Sequence, residues 1–435
     1  MSVQVEYLIE GKFTINTFLD HGVSIESIKK VEETLNLRVN SRNEKLYFVG
    51  FFELENKIFI SFPKSLSIEL LDIASAHKLL SLFRKISKNL NVTNRIPDNS
   101  FLRKSHNIEN LSRLTLADFI ISDFLKYGDI TFKTSNDILN SDHEPNWVKT
   151  IEKIIPITSG SSHVYDRWLT TKRASKYDHL IKSIHNNILN ECIDKYAHIL
   201  GITDHKTIKP NNIRYGIPKN AIQIINAKLR EVYVQRDVLV LKALKNWLEK
   251  DKDSSIFEFY GTQYFHVIWE EVCSYLLNNN KINEVWSSAF KNPLWEFYDT
   301  GKINQSDSFE VDIICENIES KLILADAKYY DITVRNRGIL GVSDLSKQIN
   351  YETQLIRAPA FIEKYRSKDN LINIFIFPAE YPEFQCNILC RIEFPRLHDK
   401  NLYGVTFDTM SSFQRYCLND PLSSLEIRGF FDHLN

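Results

Sequence analysis

The chain has 435 residues, which is more than one typical hydrophobic core accommodates and predicts two or three domains. Hydrophobic residues make up 43% of the chain and aromatic residues 12%, enough to bury large cores. The formal net charge of -1 excludes a protein that is basic over its whole surface, so any nucleic-acid-binding surface must be a local patch.

Cysteine usage and apolar runs bear on the cellular compartment. The six cysteines are scattered without a CxxC pair, and we expect reduced core residues rather than zinc ligands. Residues 1–6 do not resemble the start of a secretory signal, and no apolar run approaches the ~20 residues that span a bilayer. These observations predict a soluble, cytoplasmic protein with no membrane partner.

The first region, residues 1–110, is predicted to be β-rich with one helix. Two aromatic and β-branched runs, residues 46–54 and 57–62, flank Glu55-Asn56 and predict a hairpin. Apolar residues at helical intervals predict a helix over residues 68–90. The polar residues 91–110 predict a loop. We expect a purely structural hairpin, and the alternative, a contact with a partner protein, is what the family resemblance given below implies.

The middle region, residues 111–252, is predicted to be mainly helical. Helical patterns cover residues 111–125, 174–200 and 220–248, the last with Pro218 just before it. The charged residues 249–253 follow, and they are the most plausible boundary with a third region, residues 253–435.

Helices and strands alternate in the third region. We predict a helix over residues 262–277, strands over 309–315 and 322–329, a helix over 344–357 and a strand over 371–377. This order predicts an α/β domain with a mixed sheet flanked by helices, preceded by an α+β N-terminal region.

Two of the predicted strands carry charged residues. Because successive side chains of a strand alternate between faces, Glu310 shares a face with Asp312, and Asp326 shares a face with Lys328. Adjacent strands would bring Asp312 and Asp326 together. Two carboxylates at close range require a shared proton or a bound cation.

A hard divalent cation suits such a pair. Mg²⁺ takes oxygen ligands and contacts substrate phosphate, lowers the pKa of a bound water, and stabilises charge during in-line displacement. Lys328 can orient or deprotonate that water and stabilise the transition state. A salt-bridged strand end is the alternative for the Asp326-Ala-Lys328 triplet. The apolar run before it and the preceding Asp312 strand favour an active site.

This pattern resembles the PD-(D/E)xK nuclease superfamily, whose core is an Asp on one strand and (Asp/Glu)-x-Lys on the next. Val311 stands where the motif has Pro, a position that varies within the superfamily. The resemblance implies a metal-dependent endodeoxyribonuclease in which Asp312, Asp326 and Lys328 are catalytic. It also implies Mg²⁺, with Mn²⁺ as an alternative, held by Asp312 and Asp326.

The helix before the strands extends the resemblance, because the first helix of these nucleases often contributes a Glu near the metal. Glu270 and Glu271 lie on opposite flanks of its apolar face, so spacing does not choose between them. The Trp-Glu pair of related sequences favours Glu270 as a third catalytic metal ligand. The alternative is a solvated helix residue.

The segment after the Lys328 strand supplies candidate contacts to DNA. Many relatives carry a Gln and a nearby Tyr on the following helix, which implies that Gln348 contacts the attacking water or a phosphate oxygen and that Tyr351 contacts the DNA backbone. For Tyr351 the alternative is helix packing. Arg335 and Arg337 lie in the intervening loop and can hold phosphates, with a solvated loop as the alternative.

The chain as a whole resembles the LlaJI-type restriction endonuclease family, related to the McrC nuclease subunit of McrBC systems. Diffuse similarity over residues 43–51, 62–64, 144–156 and 164–165 adds to the nuclease motifs. The resemblance implies double-stranded DNA as substrate, a role in restriction and phage defence, and a separate McrB-like AAA+ GTPase. An associated DNA methyltransferase system is a further candidate partner. The chain lacks GxxxxGK[ST], so we expect it to bind no nucleotide.

Two rival functions remain at the level of the sequence. One is a stand-alone nuclease of DNA repair or defence, and the other is a non-catalytic DNA-binding scaffold with a nuclease fold. The complete set of Asp312, Asp326 and Lys328 argues against the scaffold. A Ser-His-Asp hydrolase is disfavoured because no GxSxG motif is present.

Overall fold

The computed structural model describes residues 4–34, 45–55, 57–96, 112–132, 137–140, 144–171, 176–202, 216–250, 258–279, 286, 289–290, 294–298, 302–305, 311–318, 321–330, 340–394 and 401–431. The chain forms two compact units. The helical unit is Ser105–Ile256 with Met1–Ser2, and the sheet unit combines Val3–Lys104 with Phe257–Asn435. Within the described ranges, no helix combines the length and apolar character needed to span a bilayer.

The described strands, numbered in chain order, are β1 (Gln4–Ile9), β2 (Val49–Leu54), β3 (Lys57–Phe62), β4 (Asp137–Leu139), β5 (Ile157–Ser159), β6 (Ser162–Val164), β7 (Leu169–Thr171), β8 (Glu258–Thr262), β9 (Leu294–Phe297), β10 (Lys302–Gln305), β11 (Ile313–Ile318), β12 (Lys321–Ala327), β13 (Leu371–Ala379), β14 (Cys386–Glu393) and β15 (Asn401–Asp408). The α-helices are α1 (Ile15–Asp20), α2 (Ile25–Thr34), α3 (Ile73–Ile86), α4 (Leu90–Arg95), α5 (Arg113–Tyr127), α6 (Trp147–Lys153), α7 (Lys176–Tyr196), α8 (Ala221–Leu229), α9 (Gln235–Lys250), α10 (Phe265–Leu276), α11 (Val342–Ile356), α12 (Pro359–Tyr365), α13 (Thr409–Leu418) and α14 (Ser424–Phe431).

The first sheet of the sheet unit has four strands in the order β1-β3-β2-β8. The predicted hairpin is present as the antiparallel pair β2–β3, and Glu55 takes a left-handed φ of 57° at its turn. Strand β8 lies in the predicted third region, yet it pairs with β2 of the first region. Gly50 opposes Gly261 there, and a Cβ at Gly50 would lie 2.4 Å from the carbonyl oxygen of Tyr260, so the close approach requires glycine.

The helices around this sheet differ from two predictions. Instead of one helix over residues 68–90, α3 begins at Ile73, because the Asp72 side chain caps the Ser75 amide. Residues 91–95 were predicted as a loop, but they belong to helix α4, which Asn89 caps at its N-terminus. The helix forms because Val92 and Thr93 are buried, a tertiary contribution that the polar sequence does not reveal.

The helical unit contains α5 to α9 and two small antiparallel sheets, β4–β7 and β5–β6. The helix predicted over residues 220–248 is in fact two helices, α8 and α9, with residues 230–234 between them. That connection contains Tyr233 and Val234, both weak helix formers and both exposed, so no burial compensates for their low propensity.

The second sheet of the sheet unit is mixed, as predicted, with five strands in the order β11-β12-β13-β15-β14. Strands β12, β13 and β15 are parallel, and the edge strands β11 and β14 are antiparallel to their neighbours. The interior of β12 and β13 is buried throughout, as expected for parallel strands covered on both faces. On one face Leu322 and Leu324 pack with Tyr351 and Leu355 of α11.

The two strands that carry the charged residues have shifted bounds. Strand β11 begins at Ile313 rather than at residue 309, and β12 ends at Ala327 rather than at residue 329. Glu310 lies outside the described residues. Asp312, Asp326 and Lys328 therefore lie at the ends of the strands or just beyond them, where the apolar interior of the sheet gives way to a polar site. Main-chain pairing still continues one residue past β12, because the Lys328 amide donates to the Ile376 carbonyl at 2.8 Å.

Candidate active site

Asp312 and Asp326 meet at the ends of β11 and β12. Ile313 pairs with Ala325 in the antiparallel register, so continuing that register by one residue places Asp312 opposite Asp326. Asp312 Oδ2 accepts a hydrogen bond of 3.2 Å from the Ala327 amide. Burial raises the pKa of Asp312 to about 8, and the negative charges of Asp326 and Glu270 add to the shift. The expected carboxylate pair is therefore present and electrostatically strained.

Lys328 lies beside this pair. Its Nζ is 2.8 Å from Asp326 Oδ2 and 3.0 Å from Asp344 Oδ1. Burial by itself would lower the pKa of Lys328, but the attraction of Asp326 and Asp344 outweighs it and raises the pKa. An ammonium with a raised pKa is a poor general base, so this environment favours the expected charge-stabilising role of Lys328 over deprotonation of a water. Asp344, in the first turn of α11, was not among the predicted site residues.

The structure distinguishes the two glutamates of α10. Glu270 lies close enough to Asp312 to contribute to its raised pKa, and its side chain is only 15% exposed. Glu271 instead accepts hydrogen bonds from Asn89 Nδ2 at 2.9 Å and from the Tyr416 hydroxyl at 3.3 Å. Glu270 is thus the helix carboxylate at the site, and the alternative of a solvated helix residue does not describe it.

Glu270 has a cationic partner that the sequence did not indicate. Arg95, the last residue of α4, places NH2 2.6 Å from Glu270 Oε2. Both residues border a cleft of about 560 Å³ beside the carboxylate pair, lined by Asn89, Asn91, Val92, Arg95, Glu270, Glu271, Ser274, Tyr275, Asn278 and Asn279.

Gln348 and Tyr351 of α11 are both buried. Gln348 Nε2 donates to Asn373 Oδ1 at 2.7 Å, and Asn373 Nδ2 donates to Glu352 Oε2 at 2.8 Å. Tyr351 is 1% exposed in the apolar cluster beneath the sheet. This placement corresponds to the packing alternative for Tyr351, because DNA does not reach a ring that is buried in this way. It gives no support to the expected contact of Gln348 with water or phosphate.

The two loop arginines, Arg335 and Arg337, lie outside the described residues. Sequence reasoning also missed a link between the site and β1. Tyr329, next to Lys328, donates from its hydroxyl to Glu10, which is buried and has a pKa raised by burial. Lys64 Nζ lies 4.3 Å from the centre of the Tyr329 ring. No sequence pattern connects Glu10 with Tyr329, since 319 positions separate them.

The donor set fits a hard divalent cation. Asp326 Oδ2 is buried and receives no well-directed hydrogen bond from any described residue, although the Lys328 ammonium lies nearby. A cation between Asp312 and Asp326 would relieve the repulsion that raises the pKa of Asp312. In the described part of the chain, no group of three or more His, Cys, Asp or Glu residues is placed to hold a metal ion, so the candidate donor set is the pair Asp312 and Asp326. Mg²⁺ can be held by one or two carboxylates, with water and substrate phosphate completing its shell.

The mixed sheet and its edge of carboxylates and lysine are consistent with a nuclease-like α/β protein. The chain belongs to the LlaJI restriction endonuclease family, because the model of that family matches residues 48–403. It is similar to the "Type II restriction enzyme BsuMI component YdjA" of Bacillus subtilis (strain 168), with 26% identity over 411 residues, 89% of this chain and 84% of that protein. The family match confirms the predicted resemblance to LlaJI-type restriction endonucleases. It identifies the chain as a restriction-system protein from a family of nucleases.

A solved structure also shows a distant likeness. In an assembly of Thermococcus gammatolerans McrB AAA+ hexamers with bound McrC, one chain is 12% identical, with a TM-score of 0.39. The match covers 96% of this chain and 100% of that chain. A likeness at this TM-score does not establish a shared fold.

Proposed function

We propose that this chain is a Mg²⁺-dependent endonuclease subunit that hydrolyses phosphodiester bonds of double-stranded DNA in a cytoplasmic restriction and phage-defence system. The proposal extends the family assignment to a particular site with PD-(D/E)xK chemistry. It rests on one observation above the others: Asp312 stands opposite Asp326 on neighbouring strands, with Lys328 Nζ 2.8 Å from Asp326 Oδ2.

Each residue has a distinct role in this proposal. Asp312 and Asp326 hold the cation, which when bound supplies an acidified water and neutralises phosphate charge. Glu270 joins them from α10. Lys328 directs its ammonium at the scissile phosphate or the attacking water, where it stabilises the charge that develops in the transition state. Asp344 of α11 holds the Lys328 ammonium in place through their ion pair of 3.0 Å.

A plasmid cleavage assay with matched variants tests the site. Wild-type protein should cut DNA with Mg²⁺ or Mn²⁺ and not with EDTA, while Asp326→Asn and Glu270→Gln should lose most of the activity. Glu271→Gln is the matched control, because Glu271 is adjacent on the same helix but bonds to Asn89 and Tyr416. Cleavage by Asp326→Asn at the wild-type rate would show that the site is elsewhere. DNA binding by wild-type protein without cleavage under any condition would favour the scaffold.

We also propose a separate McrB-like AAA+ GTPase as the partner. The proposal is supported by the resemblance to McrC and by the missing GxxxxGK[ST] motif in this chain. Cleavage should be weak or absent with this chain alone and should appear when the partner and GTP are added. Strong sequence-specific cleavage without a partner or nucleotide would contradict the two-component arrangement and support the stand-alone nuclease. Comparison of methylated with unmethylated plasmid tests the associated methyltransferase.

A further inference from the structure

The outer edge of β11, next to Asp312, is covered by a side chain. Strand β11 is an edge strand of the five-stranded sheet, and no other described strand pairs with its free side. Asn279 Nδ2 donates to the Asp312 carbonyl at 3.0 Å, and Asn279 Oδ1 accepts from the Ile314 amide at 2.9 Å. The carboxamide therefore bonds to the main-chain groups on either side of Ile313.

This contact reproduces strand pairing with a single side chain. In a parallel pair, one residue donates its N–H to the carbonyl before the residue opposite and accepts from the N–H after it. Asn279 offers the same donor and acceptor from its carboxamide. Main-chain groups at a buried edge are costly when unpaired, so the contact holds the backbone of Asp312 in the extended form.

The position of Asn279 is itself fixed by the end of helix α10. Asn278 takes a left-handed φ of 49°, and its amide donates to the Tyr275 carbonyl at 3.1 Å. The Asn279 amide reaches back to the Ser274 carbonyl at 3.1 Å. These two bonds form a Schellman ending. Asn279 Nδ2 also donates to Ser274 Oγ at 2.9 Å, so both its main chain and its side chain are anchored to the helix.

Asn279 thus links two segments that carry carboxylates of the site, the helix α10 and the start of β11. Helix α10 bears Glu270, and Asp312 directly precedes β11. The two carboxylates and Asp326 repel one another, so without an anchor Asp312 would gain by moving away from the others. We propose, on the basis of the function proposed above, that Asn279 is a positioning residue that holds Asp312 opposite Asp326, where the two carboxylates can share a divalent cation.

The test compares Asn279→Ala with wild-type protein in full-length form. Calorimetry with Mn²⁺ alone should show metal affinity about 10- to 100-fold weaker, the usual cost of removing a residue that orients a ligand. Hydrogen exchange at the Ile314 amide should speed up in the metal-free protein. In the cleavage assay kcat should fall and KM for DNA should stay the same, because Asn279 does not touch the substrate.

Two further variants make the test specific. Asn279→Leu keeps the approximate size and removes both hydrogen bonds without adding charge, so its loss of metal affinity should match that of Asn279→Ala. Asn91→Ala, on the same cleft but away from β11, should behave as wild type. Wild-type metal affinity and Ile314 exchange in a folded Asn279→Ala protein would overturn the proposal. Wild-type protein that binds no Mn²⁺ would overturn the proposed function instead, while Ile314 exchange would still test the contact itself.

Discussion

Buried charges are arranged in opposite ways in the helical unit and at the candidate active site. In the helical unit two carboxylates, Asp123 and Asp178, each meet a cation. Asp123 receives bonds of 3.1, 3.2 and 2.8 Å from Arg236, and Asp178 lies 2.6 Å from Lys228. At the site, Asp312 faces Asp326, with Glu270 also near enough to raise the Asp312 pKa.

The difference separates charge that supports the fold from charge that serves chemistry. A buried pair of opposite charges satisfies itself, and its removal leaves one unpaired ion. At the site Lys328 and Arg95 pair with Asp326 and Glu270, but Asp312 faces other carboxylates. Such an excess of negative charge is retained where a ligand completes it, and in the proposed function that ligand is a cation with its phosphate. Substitutions in the two places should therefore have effects of opposite sign, and the following predictions test that expectation.

The largest effect on stability is expected in the helical unit. Arg236→Ala should lower the free energy of unfolding by about 3–5 kcal/mol, because it leaves Asp123 buried without its bidentate partner. Urea unfolding measures the change. Lys182→Ala is the control, since the Lys182–Asp129 pair is more exposed and should contribute less than about 1 kcal/mol. Equal effects of the two substitutions would contradict a role for burial.

Lys328→Ala should reduce cleavage by about 10²- to 10³-fold, a loss of about 2.7–4 kcal/mol in transition-state stabilisation. Mn²⁺ affinity should not fall, because the neighbouring carboxylates remain. Lys328→Arg should also fail, since a planar guanidinium does not fit the compact ammonium position between Asp326 and Asp344. Plasmid cleavage, calorimetry and thermal melting check this together. If the Ala variant cuts like wild type the catalytic role is wrong, and if it unfolds Lys328 is a structural ion-pair residue.

The same substitution in the two units should have opposite signs. In the absence of metal at pH 7, Asp312→Asn should raise stability by about 0.5–2 kcal/mol. It removes a carboxyl whose raised pKa makes folding take up a proton, and it keeps the acceptor for the Ala327 amide. It should also abolish stabilisation by Mn²⁺. Asp123→Asn should instead lower stability by about 1.5–3 kcal/mol, because it weakens the hydrogen bonds of Arg236. Thermal melting in EDTA and in Mn²⁺ gives both results, and a destabilised Asp312→Asn protein would refute the comparison.

The smallest effect is expected for a partly exposed ion pair between Lys364 of α12 and Glu316 of β11. Lys364 Nζ lies 2.9 Å from Glu316 Oε1, and the Lys364 side chain is 53% exposed. Lys364→Ala should change the free energy of unfolding by less than about 1 kcal/mol and leave cleavage unchanged. A large loss of cleavage activity would show that removing a charge outside the candidate site also impairs the reaction.

The accuracy of sequence reasoning depended on how local the deciding interactions were. The β2–β3 hairpin and the helix α11 followed from short-range alternation and periodicity, and both are present. The break between α8 and α9 was missed, although the residues at the break are poor helix formers. Helix α4 was missed because the burial of Val92 forms it, which is decided by the tertiary structure.

The sequence predicted that Asp326 and Lys328 share a face and that Asp312 is on an adjacent strand, because alternation along strands is a local property. In the structure Asp312 directly precedes β11 and is opposite Asp326. Helical spacing placed Glu270 and Glu271 symmetrically about one apolar face, and the family resemblance favoured Glu270. The structure has Glu270 near Asp312 and Glu271 bonded to Asn89 and Tyr416. Three contacts of the site are visible only in the structure: Asp344 with Lys328, Arg95 with Glu270, and Asn279 with Asp312. Arg95 and Glu270 are 175 positions apart in the chain, and only the packing of α4 against α10 brings such residues into contact.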